Sequence, residues 1–258
     1  MPDKTEPILC EQTLHDIKTP LSIMYSSIRE LEGATKESPE LWESLETIKR
    51  NWLRILKLIT DAGDYRKLSL GLVLPRQVNQ DVVALIRNIT ESTKALTDRR
   101  DIRLVFESSI KEKRMAIDRD IIDRILLNLL SNAIKFTDNG GEIKVSLVDE
   151  GDMISLTVSD TGVGISAEHA SRVFEPHYFV SCQRNTNGTG MGLFIVKQLV
   201  ELLSGEVKLE KTSIGTAITI RLPCYVIEDD KQEVKYFEDF YSDNMVQIEL
   251  SDANYSIV

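Results

Sequence analysis

Through the first seventy positions, apolar residues recur at alternating steps of four and three: Cys10, Leu14, Ile17, Leu21, Met24, Ile28 and Leu31, then Leu41, Leu45, Ile48, Trp52, Ile55, Ile59 and Ala62. That spacing is a heptad seam, and two seams in succession predict a helical hairpin over residues 1–70. Between them, Gly33 and the run Lys36, Glu37, Ser38, Pro39 read as the turn, with Ser38 as a cap and Pro39 as the first helical residue. Leu53, Leu56 and Leu58 widen the apolar coverage of the second helix beyond one seam. A lone hairpin cannot bury that much surface, whereas two hairpins can do so as a dimeric four-helix bundle.

Gly71 and Pro75 interrupt the helical spacing, so residues 71–77 read as a linker. Residues 78–223 then mix periods. Helical spacing covers Val82 to Leu96 and Asp120 to Phe136, and returns from Leu193 to Leu203. Alternation marks strands at Ile102 to Phe106, Ile143 to Leu147, Ile154 to Val158, Val207 to Leu209 and Ala217 to Leu222. Helices against an antiparallel-rich sheet predict an α/β sandwich, and the whole chain a multi-domain protein with an all-α hairpin in front of it. Residues 224–258 hold nine acidic residues against two lysines, yet also Tyr225, Tyr236, Phe237, Phe240, Tyr241 and Tyr255. A docked tail and a flexible acidic extension are both compatible with that mixture.

With 258 residues and 42% hydrophobic content, the chain can bury a core in each part. A net charge of -10 argues against nucleic acid as a partner. Cys10, Cys182 and Cys224 form neither a disulfide framework nor a metal spacing, which fits a reduced, cytoplasmic setting. No apolar run is long enough to span a bilayer, so no membrane contact is expected of this segment, although a membrane or sensor region upstream is compatible with it.

His15 lies beside Leu14, just off the first seam. A neutral imidazole there is a competent nucleophile, with Asp16 adjacent to orient it or accept its proton and Lys18 to compensate developing charge. Thr19 follows one helical turn later, and Pro20 cannot donate to the carbonyl of Asp16, so the helix should loosen beside His15. Taken alone, the helix fits a plain solvent-exposed histidine and a tolerated proline equally well.

The segment NLLSNAIKFT sets Asn128 and Asn132 four residues apart on one helical face. Amide oxygens can ligate Mg²⁺ without adding negative charge beside a nucleotide, and Lys135 offers a point charge for phosphate; a polar core or loop caps would use the same amides. After a strand, DTGVGI supplies Asp160, an acceptor suited to a purine amine, with Gly162 and Gly164 allowing close approach. A second glycine segment, GTGMGL, places Gly188, Gly190 and Gly192 at a helix start, where amides can cradle phosphate; two unrelated flexible loops are the bland alternative. Neither segment is a P-loop, which requires GxxxxGK followed by Ser or Thr.

In this order, HDIKTPLS, NLLSNAIKFT, DTGVGI, VFEPHYF and GTGMGL resemble the phosphoacceptor, asparagine, first glycine, phenylalanine and second glycine boxes of the sensor histidine kinases of two-component systems, over residues 5–223. The resemblance implies that ATP with Mg²⁺ phosphorylates His15, assisted by Asp16, and that the group passes to an aspartate on a response-regulator receiver domain. It implies Mg²⁺ ligation by Asn132 with support from Asn128, phosphate contact by Lys135, and Phe136 beside the nucleotide. It also gives Asp160 the adenine amine, with Gly162, Gly164, Ile165, Gly188, Thr189, Gly190, Met191, Gly192, Leu193 and Thr216 shaping the pocket and its lid. Family members act as homodimers and often dephosphorylate the regulator through a residue placed as Thr19 is. A degenerate kinase acting as a dimeric scaffold and an ATPase of the same nucleotide-binding superfamily are the competing readings, the latter disfavoured because Asn128 stands where hydrolysing relatives place a carboxylate.

Overall fold

The heptad spacing sets the first two elements in the computed structural model, which describes residues 11–34, 38–178, 189–210, 212–228, 240–251 and 253. Helix α1 (Glu11–Ala34) runs through Pro20, and α2 (Pro39–Ser69) returns alongside it. Their inward faces meet in a cluster of Leu21, Ile28, Leu45, Trp52, Leu53 and Leu56. Trp52 is 1% exposed, stacks on Tyr25 with ring centroids 4.7 Å apart, and donates its indole N–H to the carbonyl oxygen of Leu21 at 2.8 Å. The seam divides: these residues point inward, while Met24, Leu31, Leu41, Ile48 and Ile55 stay exposed on the single hairpin.

Pro39 is the first residue of α2, but the Ser38 hydroxyl does not cap it. The first turn is closed instead by the Trp42 N–H on the Ser38 carbonyl at 3.0 Å, and Pro39 has no amide to satisfy. Cys10, Lys36 and Glu37 lie outside the described residues. At its far end α2 stops on Gly71, whose φ of +64° only glycine adopts without strain, and the Leu72 N–H closes back on the Lys67 carbonyl at 2.9 Å.

Beyond it, β1 (Val78–Asp81) pairs antiparallel with β3 (Arg114–Ile117), flanking α3 (Val82–Ser92), α4 (Lys94–Arg99) and β2 (Arg103–Ser108). The long helix α5 (Arg119–Phe136) is capped by Asp118, whose carboxylate accepts from the Ile121 N–H at 3.2 Å. Strands β4 (Glu142–Asp149) and β5 (Met153–Asp160) form the expected hairpin; α6 (Ala167–Ala170), α7 (Gly192–Leu202), β6 (Glu206–Glu210) and β7 (Thr216–Pro223) follow. The five-stranded sheet runs β2-β4-β5-β7-β6, parallel only at β2-β4. Ile143, Val145, Leu147, Leu156 and Ile220 bury one sheet face against Ile125, Leu126, Leu130 and Ile134 of α5 and Ile195, Val196 and Val200 of α7. The result is a helical region followed by a mixed α/β sandwich. Alternation did not reveal β1 and β3, because each is four residues long and β1 reads VNQD.

After β7 the chain stays on the sandwich: the Tyr225 carbonyl accepts from the Ala116 N–H at 2.8 Å, and the Ile227 N–H donates to Asn79 Oδ1 at 2.9 Å. Helix α8 (Phe240–Glu249) then wedges between the two parts. Ile248 joins the hairpin cluster, while Met245, Leu250 and Ala253 join the sandwich core. Tyr236, Phe237 and Tyr255 lie outside the described residues. No helix among the described residues is long and apolar enough to cross a membrane.

Candidate functional site

Between α5, the end of β5, the start of α7 and the hairpin helix α2 lies one cavity. Asn128, Asn132, Lys135 and Phe136 line it from α5, one helical face presenting polar groups while its leucines and isoleucines serve the core. Asp160, Gly164, Ile165 and Thr216 line it from the strand ends, and Thr189, Gly190, Gly192 and Leu193 from the second glycine segment. Met191 is buried just behind that segment and holds it by its N–H on Thr189 Oγ1 at 3.2 Å. Gly162 stands outside the lining but shapes it: its N–H donates to Asp160 Oδ1 at 2.8 Å, and a Cβ there would strike the Phe136 carbonyl. Gly188 lies outside the described residues.

Asp160 also accepts from the Thr216 N–H at 3.2 Å. Burial pushes its carboxyl above the usual range, and the two amides pull it back toward the carboxylate. It is an acceptor fixed in direction at the cavity wall. Asn128 is fixed as well, its amide nitrogen donating to the Arg124 carbonyl at 3.0 Å and to Glu249 Oε2 at 3.1 Å. Gly192 packs against it, since a Cβ there would come 2.7 Å from Asn128 Oδ1. Asn132 remains half-exposed toward the cavity. Two uncharged amide oxygens, a buried lysine and glycine amides at a helix start form a donor set that suits a hard divalent cation held together with phosphates.

Asp16 and Thr19 lie exposed on α1 and do not line this cavity; His15 precedes Thr19 by one turn of the same helix. Of the VFEPHYF segment, Val173 and Tyr178 line the cavity and Phe174 packs on the core; the Tyr178 hydroxyl shares a 2.7 Å hydrogen bond with Nδ1 of His169, four residues before the segment.

Several cavity residues escaped the sequence reading. Lys57 reaches in from α2, where the heptad pattern marks only which residues are apolar. Gly215, at φ +74°, sits where a Cβ would run into the Asp160 carbonyl, and a Cβ on Gly164 would come 2.9 Å from the Gly215 carbonyl oxygen. Its place just before an alternating strand was the available signal. Val158, Val163 and Ile218 add apolar wall, a role that strand alternation does not distinguish from core.

A two-layer sandwich with a helix bearing spaced amides, an aspartate at a strand end and a glycine-framed helix start defines an ATP-binding domain. Residues 117–226 match the family described as histidine kinase-, DNA gyrase B-, and HSP90-like ATPase. The sensor histidine kinase RcsC of Escherichia coli strain K12 is 33% identical over 221 residues, covering 82% of this chain and 22% of that protein. A crystal structure of full-length ShkA in complex with AMPPNP superposes with a TM-score of 0.71 at 24% identity, over 86% of this chain and 47% of that one. The histidine kinase ThkA, crystallised in complex with the response regulator protein TrrA, gives 0.58 at 22% identity over 84% and 62%. Over most of its length the chain is similar to the sensor histidine kinases of two-component systems. It spans about a fifth of the length of the first curated relatives it matches.

Proposed function

We propose that this chain transfers the γ-phosphoryl group of ATP to His15 and then to an aspartate of a response-regulator receiver domain. The observation that carries this reading is the direct packing of the ATP-binding cavity against α2 of the helical hairpin whose other helix bears His15. Asp160 takes the adenine amine, the amides of the second glycine segment and Lys135 hold phosphates, and Phe136 packs beside the nucleotide. Asn132, with Asn128 behind it, would hold Mg²⁺, which would supply charge neutralisation for the phosphates. The His15 nitrogen attacks the γ-phosphorus, the bond to the bridging oxygen breaks, ADP departs, and Asp16 takes the imidazole proton. Positioning supplies most of the acceleration.

Residues 1–70, 71–77 and 78–223 are then the phosphoacceptor hairpin, a linker that lets the ATP-binding domain reach His15, and the catalytic domain. The exposed half of the seam, from Met24 and Leu31 on α1 to Leu41, Ile48 and Ile55 on α2, gives a homodimer its four-helix core. Thr19, exposed one turn beyond His15, is placed to promote dephosphorylation of the bound regulator. Incubation with Mg²⁺ and γ-labelled ATP should label the chain, and Asp160→Asn should abolish labelling by removing the adenine acceptor. Full labelling of the Asp160→Asn protein would refute the assigned pocket.

A further inference from the structure

The polar cluster on the hairpin side of the cavity contains a cation that the account above leaves unused. Lys57 of α2 lines the cavity beside Asn128, Thr189, Gly190 and Gly192, the end where the glycine amides gather. It is 4% exposed. Its ammonium lies 2.5 Å from Glu249 Oε2 and 3.8 Å from Asp61 Oδ2. Glu249, the last residue of α8, is fully buried: the oxygen that meets Lys57 also accepts from Asn128 Nδ2, and its other oxygen is 3.8 Å from Arg124. A carboxylate from the C-terminal helix thus holds the lysine and the asparagine that border the phosphate end.

We propose that Lys57 is a phosphate-contacting residue supplied by the hairpin to the nucleotide pocket, and that Glu249 is an internal anion the terminal phosphate of ATP displaces from it. The inference rests on the ATP-binding reading of the cavity.

Local electrostatics favour the exchange. Asp61 and Glu249 both face Lys57, and Asp61, Asp64 and Glu249 all face Arg124. Burial pushes the carboxyls of Asp61 and Asp64 upward, and the neighbouring carboxylates add to the rise against the pull of the cations. A γ-phosphate arriving beside Glu249 would be repelled by it and attracted by Lys57. Glu249 can leave without stranding the ammonium, because Asp61 stays within one turn on the same helix. A lysine suits this exchange, being a point charge on a flexible stem that can turn from one anion to another. Since α8 is seated by Ile248 in the hairpin and by Met245 and Leu250 in the sandwich, displacing Glu249 loosens the wedge between the two parts. Nucleotide binding and loosening of α8 are then one event. ADP, one phosphate shorter, drives it less.

The test compares Mg-ATP and Mg-ADP dissociation constants for the full chain, Glu249→Gln, Lys57→Met and the double variant. Glu249→Gln should bind Mg-ATP on the order of tenfold more tightly, Mg-ADP less so, and Lys57→Met should erase the gain. Unchanged or weaker binding by Glu249→Gln, or a gain that persists without Lys57, overturns the proposal. Should a variant fail to fold, amide exchange over residues 245–250 of the unmodified chain decides it: Mg-ATP should speed exchange there, and unchanged or slowed exchange contradicts the displacement. A chain that binds no Mg-ATP fails the ATP-binding reading itself. One that binds it and labels His15, yet ignores the Glu249 substitution, defeats this inference alone.

Discussion

Asp61 Oδ2 on α2 accepts a hydrogen bond from Thr189 Oγ1 at 2.9 Å, so the helical hairpin directly holds the glycine segment that frames the cavity. Asp61 is 1% exposed, and the same carboxylate faces Lys57 and Arg124. Removing it takes a buried carboxylate from both cations and the acceptor from the Thr189 hydroxyl. Asp61→Ala should destabilise the chain by about 3 kcal/mol in urea unfolding. Asp61→Asn, which keeps an oxygen toward Thr189, should cost distinctly less, and equal losses would mean that the hydroxyl contact contributes nothing.

Gly215 and Gly162 set the shape of the cavity wall at Asp160, the proposed adenine acceptor. A side chain on Gly215 meets the Asp160 carbonyl at a backbone angle of φ +74°, and one on Gly162 meets the Phe136 carbonyl. Backbone cannot yield as a flexible side chain does. Gly215→Ala should therefore weaken ADP binding by about a hundredfold, from displaced Asp160 geometry together with the strain of a left-handed alanine. Isothermal titration measures it, and wild-type affinity would place the adenine elsewhere.

Trp52 ties the hairpin by its indole bond to Leu21 and its stack on Tyr25. Trp52→Phe keeps most of the apolar volume but leaves a carbonyl without its indole donor, a loss of about 1–2 kcal/mol. Trp52→Ala should cost about 3–5 kcal/mol by opening a cavity. Thermal unfolding distinguishes the two, and a phenylalanine variant as unstable as the alanine one would assign the whole effect to the hydrogen bond.

Asp123 on α5 supplies a pH dependence. Burial pushes its carboxyl from 3.8 to about 6 against the pull of Arg119, whose Nε lies 3.6 Å away, and neighbouring Asp120 adds to the rise. The folded chain therefore keeps a proton that the unfolded chain releases at lower pH. Stability from this group is full below the unfolded value and falls as pH rises through about 6. Asp123→Asn should be more stable than the parent by about 1–2 kcal/mol at a pH of about 7.5, with the difference vanishing near pH 3.5. A gain of equal size at both pH values would remove the titration as its cause.

Much of this architecture was legible because period and chemistry coincide. The heptads of α1 and α2 set the hairpin, and Asn128, Lys135 and Asp160 sit in segments whose spacing already assigned them a helix face or a strand end. What escaped depends on contacts between distant segments. Lys57 lies among seam leucines without a local signal, and its role near the cavity arises only when α2 packs on α7. Residue Glu249 follows a segment rich in acids and aromatics, a composition equally suited to a flexible tail, and its burial depends on Ile248 and Leu250 finding two separate cores. Half of the seam points away from the hairpin's own core, which one chain cannot explain and a second chain would.

The central claim is that His15 receives the phosphoryl group, and the most direct measurement is labelling of the full chain with γ-labelled Mg-ATP alongside His15→Gln. The account predicts a phosphate on the parent chain that is lost in acid and retained in base, mapped to His15 and absent from the variant. An equally labelled His15→Gln protein would contradict it.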